Sequence, residues 1–196
     1  VIAFVRHGQT EINRDGRLQG RIDAPLSDLG VEQARALGTA FASDDVTRVL
    51  SSPLQRARAT ATEIAKVAGC DVEVDERLVE LDYGDWDGLS LRDLPAGAWE
   101  RWRADPAFAP PGGESLVAVT ARVASFCEEY LAEPGIVAVS HVSPIKAAVC
   151  IALGVDEQVT WSMQLGLAAI SRVDVRADNR PYLLSFNETS HLTMRR

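Results

Sequence analysis

Cysteine is scarce in this chain and never closely spaced: Cys70, Cys127 and Cys150 stand far apart, without a CxxC pair. That excludes a disulfide framework and a zinc site of ordinary spacing, and is the usage of a reducing compartment. Cys127 and Cys150 fall on apolar helix faces and read as small buried hydrophobes. No apolar run approaches the roughly 20 residues that a membrane helix needs. No basic-then-apolar leader precedes the first strand, so no membrane partner is expected and the expected location is cytoplasmic. Repeats and low-complexity linkers are absent, and the 196 residues suit one domain, 1–196. Excess positive charge is absent as well; a net charge of −8 argues against nucleic acid as a partner. No cluster shows metal-ligand spacing, so neither metal nor cofactor is expected. The sequence carries no mark of an oligomeric state.

The charge that is present is unevenly spread. Residues 1–60 hold eight Arg/Lys against seven Asp/Glu, 61–135 six against sixteen, and 136–196 six against five. Arg6, Arg14, Arg17 and Arg21 crowd the first loop against Glu11, Asp15 and Asp23. Such a concentration in an acidic chain suits a small anionic ligand, or equally a solvated surface of arginines paired to local acids.

Ahead of that loop, Val1, Ile2, Ala3, Phe4 and Val5 read as a buried strand running straight into Arg6, His7 and Gly8. Ligands of open α/β sheets bind outside the carboxyl ends of strands. An imidazole there, flanked by fixed positive charge, is suited to attack phosphorus. Ile136 to Ser140 repeats the design and ends in His141.

Strand and helix signals alternate between these two points. Ser27 and Asp28 cap a helix with Val31, Ala34, Leu37, Gly38 and Phe41 on one face. Val46 to Leu50 is a second strand. Ser52 and Pro53 open a helix striped by Leu54, Ala57, Ala61, Ile64 and Ala68, stopped at Gly69. Asp71 to Asp75 is a third strand. Residues 81–113, rich in proline, acids and tryptophan, read as a surface excursion that shapes a binding site. Ser115 caps a long helix with Leu116, Val119, Val123, Phe126 and Tyr130 inward; Ser143 and Pro144 begin another, ending near Gly154. The tail, Ala168 to Val175 and Tyr182 to Phe186, forms a hairpin. The expected fold class is therefore α/β, with three layers around a mostly parallel central sheet.

In such a sheet both histidines reach one edge, and Arg56, in the first turn of a helix, reaches it too. Arg6, His7, Arg56 and His141 then converge, with two arginines and a protonated histidine supplying charge. A phosphoryl group in transfer spreads negative charge over three equatorial oxygens, which fixed cations stabilise. Helix N-termini near Ser52 and Ser143 are expected to add N–H donors. The carboxylic acid that such chemistry needs is not singled out: Glu76, Glu80 and Asp82 all qualify. Trp99 and Trp102, three apart, suit packing of the excursion; Trp86 suits packing or substrate contact equally; His191 reads as a surface residue.

These residues resemble the histidine phosphatase superfamily, also called phosphoglycerate-mutase-like. Arg6, His7 and Gly8 match its opening motif, followed by Asn13, Gln19 and Gly20, then Pro25, Leu26, Ser27, Gly30, Gln33 and Ala34. Ser51 to Ala57 with Thr60 and Ala61 match its second block, and Leu78, Glu80, Asp82, Gly84, Trp86 and Gly88 its acid-bearing block. Pro110 to Ser115 and Val137 to His141 complete the order. The resemblance implies a phosphoglycerate-mutase-like fold and a phosphomonoester hydrolase working through a covalent phosphohistidine. His7 is the implied nucleophile and Glu80 the implied acid and base. Arg6, Asn13, Arg56 and His141 are the implied phosphate ligands, with Gln19, Gly20, Tyr83 and Ser143 toward the substrate. Val142 stands where the family usually has Gly. The run from His141 to Lys146, with Gln164, Leu165 and Asn187 to Thr189, is similar to the phosphatase module of actinobacterial ribonuclease H/acid phosphatase proteins. It is also similar to α-ribazole phosphatases. The rival within the family is a cofactor-dependent mutase, which places basic residues after the acid. Here Leu81, Asp82, Asp85, Asp87 and Asp93 follow, so hydrolysis of small phosphorylated substrates is expected. A catalytically idle phospho-ligand binding module is the rival of another class.

Overall fold

A computed structural model of the chain describes residues 1–192. Six strands form one sheet: β1 (Ile2–Arg6), β2 (Arg48–Ser51), β3 (Val72–Val74), β4 (Ile136–Ser140), β5 (Ile170–Val175) and β6 (Pro181–Glu188). Their spatial order is β3-β2-β4-β1-β5-β6. The first four are mutually parallel, and the tail adds an antiparallel pair at one edge. The helices are α1 (Glu11–Arg14), α2 (Asp28–Ala40), α3 (Gln55–Ala68), α4 (Ala98–Ala104), α5 (Leu116–Tyr130) and α6 (Val142–Leu153). Among the described residues no helix is long and apolar enough to cross a membrane.

The apolar runs of β1 and β4 follow from burial on both faces, which asks for continuous rather than alternating hydrophobicity. Their period of two divides them between two cores. Ile2, Phe4, Ile136 and Ala138 face α5 and α6 with Val119, Val123, Phe126 and Ala148. Ala3, Val5, Val137 and Val139 face α2 and α3 with Leu37, Ala57, Ala61 and Ile64. The result is the expected three-layer α/β/α arrangement. Caps fall where anticipated: Ser27 and Ser115 accept from Gly30 and Ala118, and Gly69 and Gly154 stop α3 and α6 at φ 73° and 63°.

Some boundaries differ. α3 begins at Gln55 rather than at Pro53, because Ser52 turns its hydroxyl to the Leu54 N–H at 3.3 Å and leaves an extended link. β5 starts at Ile170, not Ala168, which holds a left-handed backbone (φ 54°) while its N–H bonds the His7 carbonyl at 3.1 Å. A left-handed alanine costs about 1 kcal/mol, so a tertiary contact at the end of β1 holds the turn in place. His191 is half-buried and donates to the Ala168 carbonyl at 2.9 Å, where a surface histidine had been expected.

Behind His7 the chain interlocks with α2. A methyl group on Gly8 would overlap the Gly30 carbonyl, and one on Gly30 would overlap the Gln9 carbonyl. Both positions need glycine for close backbone approach. Gly30→Ala should therefore destabilise the fold by roughly 1–3 kcal/mol. An unchanged urea midpoint for this variant would show that the loop yields freely.

Candidate active site

Strand register creates the site. Arg6 lies opposite Ser140 in the parallel pairing of β1 and β4, so the next residues, His7 and His141, emerge side by side. Their ring centroids are 5.0 Å apart. Ser51 pairs with Val139, which brings Ser52 alongside, and its Oγ lies 2.7 Å from His141 Nε2. Arg56, in the first turn of α3, is fully buried beneath the same edge.

His7 Nδ1 lies 2.7 Å from the carbonyl of Gly8. A carbonyl only accepts, so Nδ1 carries the proton and Nε2 keeps its lone pair. Burial, followed by the charges of Arg56 and Arg6, holds the His7 imidazole well below its ordinary pKa; the Gly8 bond opposes this weakly. His141 is lowered in the same direction by burial, then by His7 and the two arginines. Both rings are therefore neutral, which corrects the expectation of a protonated histidine: the arginines alone bring fixed charge.

Those arginines are held by main-chain carbonyls. Arg6 donates to Leu165 O at 2.6 Å, and burial pulls its guanidinium down to about 10, still charged at neutrality. Arg56 donates to Ile22 O and Gly20 O, each at 2.8 Å, and to Gln19 O at 3.5 Å. Arg6 Nε, Arg56 Nε and His141 Nδ1 are buried without a hydrogen-bond partner among the described residues. Of the other loop arginines, Arg14 pairs with Glu11 and Asp15, Arg21 with Glu114, and Arg17 is exposed. The surface reading holds for them.

The three candidate acids separate cleanly. Glu76 is exposed, and Asp82 accepts from Gly84 N–H at 2.9 Å within a turn. Glu80 is only 4 % exposed; it accepts from Leu81 N–H at 2.8 Å and from Val142 and Ser143 N–H, both at 3.1 Å. It thereby caps α6, whose N-cap His141 contributes no side-chain bond. Of the expected N–H donors at the helix starts, those of Val142 and Ser143 on α6 are taken by Glu80, and that of Gln55 on α3 by Asp23 at 2.7 Å.

Asn13 lends its Oδ1 to a capping box with Thr10. Gln19 accepts from Thr10 Oγ1 at 2.6 Å, and Gly20 packs so that a methyl would lie 2.6 Å from Leu81 O. Both serve Arg56 through their carbonyls. Tyr83 and Ser143 hydrogen-bond beside Glu80, and burial pushes the Tyr83 phenol up.

Sequence reasoning missed three supports. Thr60 donates to Arg56 O at 2.8 Å and accepts from Gly8 N–H at 3.2 Å, tying the arginine to the loop of His7. Ser52 fixes His141. Asp87 accepts from Gly20, Arg21 and Ile22 N–H at 2.8, 2.8 and 2.9 Å, clamping the carbonyls that hold Arg56. The sequence suggested that Asp87 repels a doubly anionic ligand; its carboxylate is instead bound to backbone, as Asp93 is bound to Ser90 Oγ at 2.7 Å. Thr60 and Ser52 were visible only as members of motifs.

Paired histidines and buried arginines at the carboxyl edge of a parallel sheet define a phosphoryl-transfer class of site. The profile of the histidine phosphatase superfamily (branch 1) matches residues 2–189. The chain belongs to that superfamily and is a phosphatase. It is 35 % identical over 198 residues to phosphoserine phosphatase 1 of Hydrogenobacter thermophilus, covering 97 % of this chain and 93 % of that protein. It is equally 35 % identical to a protein of Mycobacterium tuberculosis described as bifunctional, covering 97 % of this chain but 54 % of that one. Among solved structures, a mycobacterial glucosyl-3-phosphoglycerate phosphatase in complex with VO3 superposes with a TM-score of 0.86 at 32 % identity, covering 96 % of this chain and 99 % of that one.

The neutral histidines give a pH signature. The unfolded chain takes up protons first as pH falls below 6.5, so this part of the stability is complete above that value and lost progressively below it. Urea midpoints on either side of pH 6.5 should show the loss, and His141→Asn should flatten it. An unchanged slope would mean that the His141 ring charges within the fold.

Proposed function

We propose that the chain hydrolyses phosphomonoesters of small metabolites through a phosphohistidine on His7, without a metal ion. The observation that carries this reading is the pair of buried donors lacking acceptors, Arg6 Nε and Arg56 Nε, with the unpartnered Nδ1 of His141, around an imidazole whose Nε2 lone pair is free. His7 Nε2 attacks phosphorus, the P–N bond forms as the P–O bond to the leaving group breaks, and Arg6, Arg56 and His141 bind the phosphoryl oxygens. Glu80 gives its proton to the leaving oxygen, then accepts one from the water that cleaves the P–N bond. Asn13, whose amide nitrogen stays outside the capping box, joins the phosphate ligands. Gln19 and Gly20 act by positioning Arg56, while Tyr83 and Ser143 meet the substrate. The names of the relatives, phosphatases of phosphoserine and of glucosyl-3-phosphoglycerate, support a small phosphorylated substrate. The single sheet supports one domain over 1–196 with 81–113 as a wall of the site. Three free cysteines support a reducing, cytoplasmic setting.

Rapid quenching of the wild-type chain with labelled substrate, in EDTA, should trap acid-labile, base-stable phosphate. His7→Ala should trap none and lose turnover. Substantial activity in His7→Ala would overturn the covalent route, and activity that needs an added divalent ion would overturn its metal independence.

Glu80→Gln should slow alkyl phosphates far more than p-nitrophenyl phosphate, whose leaving group needs little protonation. Asp82→Asn should show no such contrast. The reverse pattern would move the acid to Asp82 and leave His7 in place.

A further inference from the structure

Beside Glu80 lies a cavity of about 70 Å³ walled by Tyr83, Trp102, Ser143, Lys146, Thr160 and Trp161, with Val142 and Leu116 completing it. Val142 and Ser143 are the residues whose N–H groups hold Glu80, so the cavity borders the place where the leaving group departs. At that size the cavity holds water and has room for one small functional group.

Its lining holds one cation, the Lys146 ammonium, and the three hydroxyl residues Tyr83, Ser143 and Thr160. The indole N–H groups of Trp102 and Trp161 are buried and find no acceptor among the described residues, and Trp102 is 3 % exposed. Lys146 donates one proton to the Thr160 carbonyl at 3.0 Å and keeps two. No Asp or Glu lines the cavity among the described residues. Burial lowers the Lys146 ammonium from its ordinary pKa, Glu80 raises it, and Arg6 lowers it again. A hydroxyl placed there would leave the Lys146 ammonium without a counter-charge. A carboxylate brings acceptors only, fits the volume and meets the cation.

We propose that this cavity is the subsite for a carboxylate on the leaving group and that Lys146 is its specificity-determining cation. The preferred substrates are then phosphomonoesters of hydroxy acids. The inference rests on the assignment of His7 and Glu80 above, and it selects among substrates of that same reaction.

The test compares 3-phosphoglycerate with glycerol 3-phosphate, which differ in a carboxylate against a hydroxymethyl group. The wild-type chain should favour the carboxylated ester in kcat/KM by roughly 10- to 100-fold, the usual worth of a hydrogen bond to a charged group. Lys146→Met should bring that ratio close to one, chiefly by raising KM for 3-phosphoglycerate, while Lys146→Arg should retain a preference. A wild-type ratio near one, or a ratio unchanged in Lys146→Met, overturns the subsite and leaves the phosphohistidine reading intact. If neither ester nor p-nitrophenyl phosphate is turned over, that reading falls; in either case binding decides the subsite separately. Trp102 and Trp161 stand in its wall, so indole fluorescence of His7→Ala reports binding without turnover. Tighter binding of 3-phosphoglycerate than of glycerol 3-phosphate, lost when Lys146→Met is added, upholds the proposal; equal binding overturns it.

Discussion

The site depends on two guanidinium groups kept in the interior without carboxylate partners. Burying an ion costs several kcal/mol even after relaxation, and a salt bridge would offset the cost while cancelling the charge. Arg6 and Arg56 are bonded to carbonyl oxygens instead, which take part of their protons without adding a counter-charge and leave both Nε–H groups open among the described residues. That field, added to burial, keeps His7 and His141 neutral. A neutral His7 is a nucleophile and a protonated one is not. In the proposed reaction, the cations that receive the phosphoryl group therefore also hold its attacker in the reactive state.

Such an arrangement needs rigid carbonyls, and much of the surrounding structure provides them. Asp87 binds three consecutive N–H groups of the loop 20–22, in which the Gly20 and Ile22 carbonyls accept from Arg56. Gln19 is tied to Thr10, and Thr60 joins the start of α3 to Gly8. The interlocked glycines at 8 and 30 remove the remaining slack behind His7. None of these contacts belongs to a group proposed to bind the phosphoryl oxygens; each fixes one that is.

The sheet was legible because both central strands are buried on both faces and announce themselves as unbroken apolar runs. β4 falls on Ile136–Ser140 as read, and β1 within one residue at each end. Arg6, His7, Arg56 and His141 were legible because strand ends and a first helical turn have predictable places in a parallel sheet. The supports were not. Asp87 looked like one more acid in an acidic stretch, since its partners lie 65 to 67 residues away in sequence. Local pattern also could not choose among Glu76, Glu80 and Asp82; the α6 N-terminus, which only tertiary packing brings to Glu80, separates them. Trp161 drew no notice, yet it packs edge-on against Trp102 at 5.0 Å and Trp99 at 5.2 Å. Its 3-10 segment, Glu157–Ser162, has too few residues for a period to show.

The tryptophan wall has a consequence for how such a protein diversifies. Arg6, His7, Arg56 and His141 stand on strand ends and a first helical turn, where a shift of register would undo the core. Trp102 and Trp161 stand on α4 and on the 3-10 segment, both outside the sheet and reached through irregular chain. Segments of that kind accept insertions and replacements far more readily than a central strand. Lineages descended from a common ancestor can therefore exchange the wall, and with it the molecules admitted, while the machinery that breaks the ester bond passes on unaltered.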